Sequence, residues 1–204
     1  MIPEIVKGEM DEASLGGAEQ HASRSGVACL MARDESDAID IVAEILSYLP
    51  DHTLAEPVKV SSGDKWDRKC KGLSKTVPSD SNVPYDMREV IGEVVDEGRF
   101  LKLFPSYAEN IVIGFARLDG QSVGVVGNQP KVLAGCLDID ASVKAARFIR
   151  TCDVFNVPVV TLSLIHILSC RRNFFWCPWW SPDKKIKNIS TFYLFSLLLI
   201  LLHS

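Results

Sequence analysis

Few side chains in this 204-residue sequence have the type and spacing that chemistry requires. Ser25 lies four residues after His21, and a hydroxyl beside a base is the usual arrangement of an activated nucleophile. A nucleophile elbow lies between a strand and a helix, however, and Ser25-Gly26-Val27 does not follow an apolar strand. The favoured interpretation is a turn serine beside a hydrogen-bonded histidine.

Two carboxylates and a thiol precede a predicted helix. Asp138 and Asp140 could form an acid–base pair, but the simpler prediction is that Asp140 caps the helix and Asp138 lies in the loop before it. Cys136 has no basic residue near it in sequence, so it is predicted to pack rather than react. No side-chain catalyst is therefore predicted. This fits an enzyme that uses backbone N–H groups and a cofactor's own chemistry, and it fits a non-enzyme equally well.

The composition disfavours metal, nucleic-acid and disulfide chemistry. The four histidines are dispersed and the six cysteines include no CxxC pair, so no metal site is expected. A net charge of −4 argues against a nucleic-acid-binding protein, which needs a basic face. The sequence begins without an apolar leader, so the cysteines are expected to be reduced thiols of a cytoplasmic protein.

Two helices are predicted before residue 100. The first begins at Asp34 and ends before Pro50, and its apolar stripe requires a core to cover: Ala38, Ile41, Val42, Ile45, Leu46 and Leu49. The second follows Pro84-Tyr85, where Asp86 and Glu89 resemble a capping box. Its stripe is Val90, Ile91, Val94 and Val95, and Gly98 fits its C-terminal cap. The proline-rich residues 50–83 between them are typical of a linker.

The second half of the sequence predicts strands around one more helix. Four strands are predicted over Phe100–Phe104, Asn110–Leu118, Val123–Gly127 and Val157–Leu162. Asp119-Gly120 is a strong hairpin signal. The helix over Ala141–Phe155 joins the last two strands, with Val143, Ala146, Phe148, Ile149 and Cys152 available to pack inward. A strand–helix–strand unit predicts an α/β fold with a partly parallel sheet.

Three stretches carry a family resemblance. They are LGGAEQHASRSGVA at 15–28, PYDMRE at 84–89, and the long run NIVIGFARLDGQSVGVVGNQPKVLAGCLDIDASVKAARFIRTCDVFNVPVVTL at 110–162. Together they resemble the carboxyltransferase (β) subunit of biotin-dependent acyl-CoA carboxylases, of the propionyl-CoA carboxylase β type.

The resemblance implies an α/β fold of the crotonase-like (ClpP/crotonase) carboxyltransferase type, incomplete in this chain. Residues 1–49 would be the C-terminal end of the N-terminal carboxyltransferase domain, and 84–162 the first part of the C-terminal one. In that family the first domain binds acyl-CoA and the second binds carboxybiotin. The active site lies where domains of two subunits meet.

Two sets of site residues follow from the resemblance. One loop is expected to wall the biotin pocket, through Asn128, Gln129, Ala134, Gly135 and Cys136. A glycine-histidine-serine-glycine turn is expected to shape the acyl-CoA side, through Gly16, Gly17, His21, Ser25 and Gly26. The family's oxyanion-hole segments have no counterpart here, so no catalytic residue is assigned. Turn geometry and packing alone remain the alternative role for both sets.

Residues 163–204 do not resemble the family. The hexapeptide LSLIHI at 162–167 resembles the translation of a transposase mosaic end used in library preparation, so we interpret 163–204 as translated adapter or chimeric DNA. The alternative is a genuine membrane anchor at 189–202. That run has 14 apolar-rich residues, whereas a spanning helix needs about 20.

The implied function is that of an acyl-CoA carboxyltransferase fragment, inactive as this chain. The parent would transfer a carboxyl group between carboxybiotin and the α-carbon of a short-chain acyl-CoA (propionyl-CoA or methylmalonyl-CoA), with biotin on a partner and no metal in this subunit. Its partners would be further copies of itself and a biotin carboxylase/biotin carboxyl carrier subunit, with neither nucleic acid nor membrane. The alternatives are a methylmalonyl-CoA decarboxylase α subunit and a membrane-tethered, non-enzymatic interaction protein.

Overall fold

A hairpin of two long strands forms the centre of the fold. The computed structural model describes residues 16–64, 68–70, 72–78 and 83–162. In these residues one sheet contains β1 Phe100–Leu103, β2 Ile111–Leu118, β3 Gln121–Asn128 and β4 Val159–Leu162. The first three strands are antiparallel neighbours in chain order, and β4 lies parallel to β3. The predicted strands and the predicted strand–helix–strand unit are therefore confirmed.

The turn between β2 and β3 has the conformation that its sequence predicts. Asp119 and Gly120 both have positive φ, of 51° and 76°, which matches the strand twist in a two-residue hairpin. The carboxylate of Asp96 accepts hydrogen bonds from the amides of Asp119 at 3.2 Å and Gly120 at 2.7 Å. The hairpin is thus fixed both by its own turn residues and by a distant acid.

Part of the predicted linker pairs with this hairpin. The amide of Val60 donates to the carbonyl of Gly120 at 2.9 Å, and the amide of Ser122 donates to the carbonyl of Val58 at 2.9 Å. Lys59 pairs with Asp119 at 3.0 Å. Residues 58–60 are therefore attached to the sheet, while the domain boundary within 50–83 stays a prediction.

Five helices lie in the described residues, and aspartates cap three of them. Their bounds are α1 Ala18–Ser23, α2 Glu35–Leu46, α3 Leu73–Thr76, α4 Met87–Val94 and α5 Ile139–Val154. Asp34 accepts a hydrogen bond from the amide of Asp37 at 2.8 Å, and Asp86 accepts one from the amide of Arg88 at 3.0 Å. The predicted helix start at Asp34 and the predicted cap at Asp86 are both confirmed. Gly98 does not cap α4, because it ends the separate turn Asp96–Gly98 with φ +67°.

The start of α5 differs from the prediction. Asp138 is the N-cap, and its carboxylate accepts a hydrogen bond from the amide of Ala141 at 2.8 Å. Asp140 lies inside the first turn. The prediction that Asp140 caps the helix is wrong, because the backbone at Asp138 is extended and the helix begins at the next residue.

Helices α4 and α5 cover opposite faces of the sheet. Ile113 and Phe115 of β2 belong to a buried cluster that includes Phe148 of α5. Val112 and Ala116, which alternate with them along the strand, belong to a second cluster that includes the buried face of α4. Both faces of β2 are therefore buried, as expected for the centre of an α/β sandwich.

The inward face of α5 is only partly apolar. Phe148 and Cys152 are buried as predicted, whereas Val143 is 38% exposed. Lys144 is buried instead and is 2% exposed. This position faces backbone carbonyls rather than the apolar sheet, which is why a lysine is accommodated there.

Within α2 itself, the predicted apolar stripe is not buried against a core of the described residues. None of its residues is buried, and Val42 and Leu46 are 53% and 60% exposed. Tyr48, just after the helix, is buried and stacks on Phe115 with ring centroids 5.8 Å apart. The helix lies where it was predicted, but the residues that follow it make the contact with the sheet.

The structure describes no helix long and apolar enough to cross a bilayer. The apolar run at 189–202 lies outside the described residues, together with the rest of 163–204. The anchor and adapter interpretations of that segment stay predictions.

Candidate functional site

The 128–136 loop, which begins at the last residue of β3, is tied back on itself. The side-chain amide of Asn128 donates to the carbonyl of Gly135 at 2.8 Å. Leu133, Ala134 and Gly135 have positive φ, of 49°, 52° and 73°. Each such residue other than glycine costs roughly 1–2 kcal/mol, so the surrounding contacts must hold this conformation. In the sequence, only Gly135 indicated a special turn here.

Asn110 connects this loop to the rest of the site. It is 2% exposed, its side-chain amide donates to the carbonyl of Cys136 at 2.8 Å, and its own carbonyl accepts from the amide of Gln129 at 2.9 Å. Hydrogen bonds from the Ala141 amide and then from Asn110 lower the pKa of Asp138. Asn110 was missed as a site residue, since its partners lie far along the chain.

The side chain of Gln129 points away from the loop surface. It is 3% exposed; its carbonyl oxygen accepts from the amide of Met87 at 3.0 Å and its NH₂ donates to Asp86 at 2.7 Å. The guanidinium of Arg88, 2.6 Å from the Asp86 carboxylate, holds the pKa of Asp86 well below its usual range. Gln129 therefore anchors the loop to the start of α4.

Cys136 and Ala134 are the predicted loop residues that face solvent. Cys136 is an exposed free thiol, so the expectation that it packs is wrong. The physical reason is that its backbone carbonyl, rather than its side chain, is engaged by Asn110.

The predicted turn residues of the other set lie around α1. The Nδ1 atom of His21 lies 3.1 Å from Oγ of Ser25, and both side chains are exposed. No carboxylate of the described residues hydrogen-bonds the other ring nitrogen, so the pair lacks the third member of a catalytic triad. Gly17 is the N-cap of α1, and a Cβ at Gly16 would meet nothing within 4 Å.

Gly26 is fitted closely against an aromatic ring. Its φ is +58°, and a Cβ there would lie 2.6 Å from the ring of Tyr107. Arg147 of α5 donates to the carbonyl of Gly26 at 3.5 Å. A glycine is required here both by conformation and by space.

An open groove of about 560 Å³ runs along the outer side of α5. Its lining includes Leu137 and Asp138, directly after the 128–136 loop, and Arg147, which touches Gly26. Three apolar side chains, one serine and a second arginine line the remainder: Ile139, Val143, Ala146, Ser142 and Arg150. The groove thus extends from one predicted set towards the other.

Comparison with known proteins identifies the family. A profile of the carboxyl transferase domain matches residues 2–165. The chain belongs to the carboxyl transferase family. This carboxyl transferase chain is 46% identical over 160 residues to the methylmalonyl-CoA decarboxylase subunit alpha of Veillonella parvula, covering 78% of this chain and 31% of that protein. It is 49% identical over 172 residues to the propionyl-CoA carboxylase beta chain of Saccharopolyspora erythraea, covering 78% and 32%.

A solved relative shares the fold of this carboxyl transferase chain. Transcarboxylase 12S, a hexamer assembly with hydrolysed methylmalonyl-CoA bound, matches with a TM-score of 0.73 at 40% identity, covering 78% of this chain and 30% of that one. The predicted family and the α/β, crotonase-like carboxyltransferase fold are confirmed. The chain spans about a third of the length of these relatives.

Metal ligands do not cluster in the part of the chain that the structure describes. There, no group of three or more His, Cys, Asp or Glu side chains could hold an ion. The expectation of a metal-free subunit stays a prediction.

Proposed function

We propose that this chain is a piece of an acyl-CoA carboxyltransferase subunit. The parent subunit transfers a carboxyl group between carboxybiotin and the α-carbon of a short-chain acyl-CoA, such as propionyl-CoA or methylmalonyl-CoA. The observation that carries the proposal is the TM-score of 0.73 to transcarboxylase 12S, whose structure holds hydrolysed methylmalonyl-CoA. Because the chain spans about a third of its relatives, we expect it to be inactive alone.

We assign the biotin side to the 128–136 loop. Ala134 and Cys136 present a small uncharged surface beside polar backbone, which suits the neutral bicyclic ring of biotin. Asn128 and Gly135 maintain the shape of the loop, and Gln129 anchors it. Biotin, carried on a partner, supplies the transferred carboxyl group.

We assign the acyl-CoA side to the turn formed by Gly16, Gly17, His21, Ser25 and Gly26. Arg147 reaches the carbonyl of Gly26, and a guanidinium beside this turn suits the phosphates of coenzyme A. The described residues hold no nucleophile–base–acid constellation. Charge developing on a thioester would therefore be stabilised by backbone N–H donors rather than by a side-chain catalyst.

The partners and compartment follow from the relatives and the thiols. Transcarboxylase 12S forms a hexamer within a multienzyme core, so we infer a homo-oligomeric parent that partners a biotin carboxylase/biotin carboxyl carrier subunit. The four cysteines of the described residues are free thiols, which suits a cytoplasmic location.

A second candidate is the α subunit of a methylmalonyl-CoA decarboxylase. The 46% identity to the Veillonella parvula subunit favours it. The chemistry is the same but runs in the decarboxylating direction. A gene for a membrane decarboxylase subunit beside this one would support the second candidate, and a biotin carboxylase gene would support the first.

Protection of Cys136 from alkylation tests the biotin assignment. In the purified 204-residue chain, free biotin is expected to slow iodoacetamide labelling of Cys136, measured by peptide mass spectrometry. Labelling of Cys70, which is remote in sequence and half-buried, should stay unchanged. Propionyl-CoA should protect Cys136 less than biotin does.

One control variant and two refuting outcomes accompany this measurement. Cys136→Ser should remove the protected signal and identify its peptide. Equal labelling of Cys136 with and without biotin would refute the assignment. Measurable biotin-dependent carboxylation of propionyl-CoA by the chain would refute its inactivity.

A further inference from the structure

Lys144 is buried against backbone rather than against an acid. It is 2% exposed, and its ammonium donates to the carbonyls of Tyr107 at 2.6 Å, Ile111 at 2.9 Å, Phe104 at 3.0 Å and Ala108 at 3.2 Å. None of the salt bridges found within the described ranges involves it. Three ammonium protons are thus shared among four carbonyl oxygens.

All four carbonyls belong to the segment 104–111, which contains the connection from β1 to β2 and the first residue of β2. Phe104 and Ala108 have positive φ, of 50° and 45°, so intrinsic backbone preference does not favour this shape. Carbonyl oxygens that converge on one point repel each other, and the ammonium at that point offsets the repulsion. Lys144 therefore holds the shape of the segment.

The same segment contacts both candidate sets of site residues. Tyr107 packs on Gly26, where a Cβ would lie 2.6 Å from the ring. Asn110 donates to the carbonyl of Cys136 at 2.8 Å and accepts from the amide of Gln129 at 2.9 Å. One short connection thus touches the 16–26 turn through Tyr107 and the 128–136 loop through Asn110.

We propose that Lys144 is a positioning residue that couples the two half-sites of this chain, the 16–26 turn and the 128–136 loop. By holding segment 104–111, it sets the 16–26 turn and the 128–136 loop in fixed relative positions. The inference rests on the proposed function for the identity of the two ligands, biotin and acyl-CoA. The coupling itself is a property of the chain and needs no ligand.

The charge on Lys144 can be removed at moderately alkaline pH. Burial, and next the ammonium of Lys102, lower its pKa to about 8, while Glu109 and Cys29 act in the opposite direction. Below that pH the ammonium has three donors for the carbonyls; above it the amine has two hydrogens and no charge.

This titration distinguishes a positioning role of Lys144 from an effect on stability alone. The folded-state pKa of about 8 is below the usual 10.5, so between these values the unfolded chain binds more protons. The contribution of Lys144 to the free energy of unfolding should therefore increase as the pH rises through that window. A purely structural role predicts only this gain, whereas positioning predicts that the coupling weakens over the same window.

Methyl NMR spectra of the full chain test the coupling. Ala108 reports on the segment, Ala134 on the 128–136 loop and Val27 on the residues beside Gly26. In a titration between roughly pH 6.5 and 9.5, we expect all three methyl signals to shift with the midpoint of the Lys144 Cε signal.

Three substitutions sharpen the test. Lys144→Met should abolish the shared titration and speed amide exchange about tenfold in both half-sites, because their common support is lost. Lys59→Met removes an exposed lysine at the hairpin and should change neither half-site. Lys102→Met should raise the shared midpoint, since the charge of Lys102 lowers the pKa of Lys144.

The outcomes are distinguishable. Shifts confined to Ala108, with Ala134 and Val27 silent, would overturn the coupling. If Lys144→Met does not fold, the wild-type titration decides alone: one midpoint supports the coupling and separate midpoints refute it. A shared midpoint without biotin protection of Cys136 would refute the assignment of the 128–136 loop to biotin and leave the coupling standing.

Discussion

Gly26 and Gln129 were both expected at the site, and the structure gives them different tasks. Gly26 allows the ring of Tyr107 to lie directly on the backbone. Gln129 turns inward, and both ends of its amide are used at the start of α4. A motif match identifies the residue type at each position. Which matched residues face a ligand depends on partners elsewhere in the chain.

Gly26→Ala should lower the free energy of unfolding by about 2–5 kcal/mol. A left-handed backbone costs roughly 1–2 kcal/mol and a forced contact adds about 1–3. Gly92→Ala is the matched control, because a Cβ in α4 would meet nothing within 4 Å. It should raise stability by up to about 1 kcal/mol. Urea unfolding of both variants measures the difference, and effects of the same sign would contradict the prediction.

Helix α5 illustrates how an element's position depends on its first residue. Asp138 caps it, so the helix begins at Ile139 and Asp140 falls in its first turn. With this start, the ammonium of Lys144 donates to backbone carbonyls of the segment 104–111, such as that of Tyr107. Helix α2, in contrast, starts at Asp34 as predicted, but none of its residues is buried in the part of the chain that the structure describes.

Asp138→Ala should destabilise the chain more than Asp140→Ala does, through loss of the N-cap hydrogen bond to the amide of Ala141. Asp140→Ala removes only a first-turn carboxylate, whose interaction with the helix dipole contributes about 0.3–1 kcal/mol. In thermal unfolding at neutral pH, the Tm of Asp138→Ala should therefore be lower than that of Asp140→Ala. The reverse order would restore Asp140 as the cap.

The described molecule is layered around β2 and β3. Helices α4 and α5 cover the two faces, and the segment before the predicted linker joins the α5 side through Tyr48. Tyr48 stacks on Phe115, and the guanidinium of Arg117 lies 4.4 Å from the Tyr48 ring centroid. Residues from both predicted domains therefore share one buried cluster.

Tyr48→Ala should detach the early segment from the sheet. Truncating a buried aromatic ring costs about 3–5 kcal/mol, so amide exchange across residues 27–49 should accelerate while β2 and β3 keep their protection. Leu46→Ala, at a side chain that is 60% exposed, should change stability by less than about 0.5 kcal/mol. Uniform acceleration throughout the chain would instead show that the cluster unfolds as one unit.

Local features of this protein could be read from the sequence because they depend on near neighbours. The helix start at Asp34, the cap at Asp86, the Asp119-Gly120 turn and the strand–helix–strand unit are of this kind, and each is confirmed. The family was also readable, since its longest matching stretch is contiguous. The Asp138 cap was missed by two residues, because either aspartate could serve and only the backbone conformation distinguishes them.

The contacts that organise the candidate site could not be read in this way. Lys144 binds carbonyls 33 to 40 residues away, and Asn110 binds a carbonyl 26 residues away. Every residue carries a backbone carbonyl, so these acceptors leave no mark in the sequence. A lysine among Ala141, Phe148 and Cys152 at helical spacing was the one available signal. Only the tertiary structure places α5 against the segment 104–111. That packing buries the ammonium of Lys144 between the two half-sites.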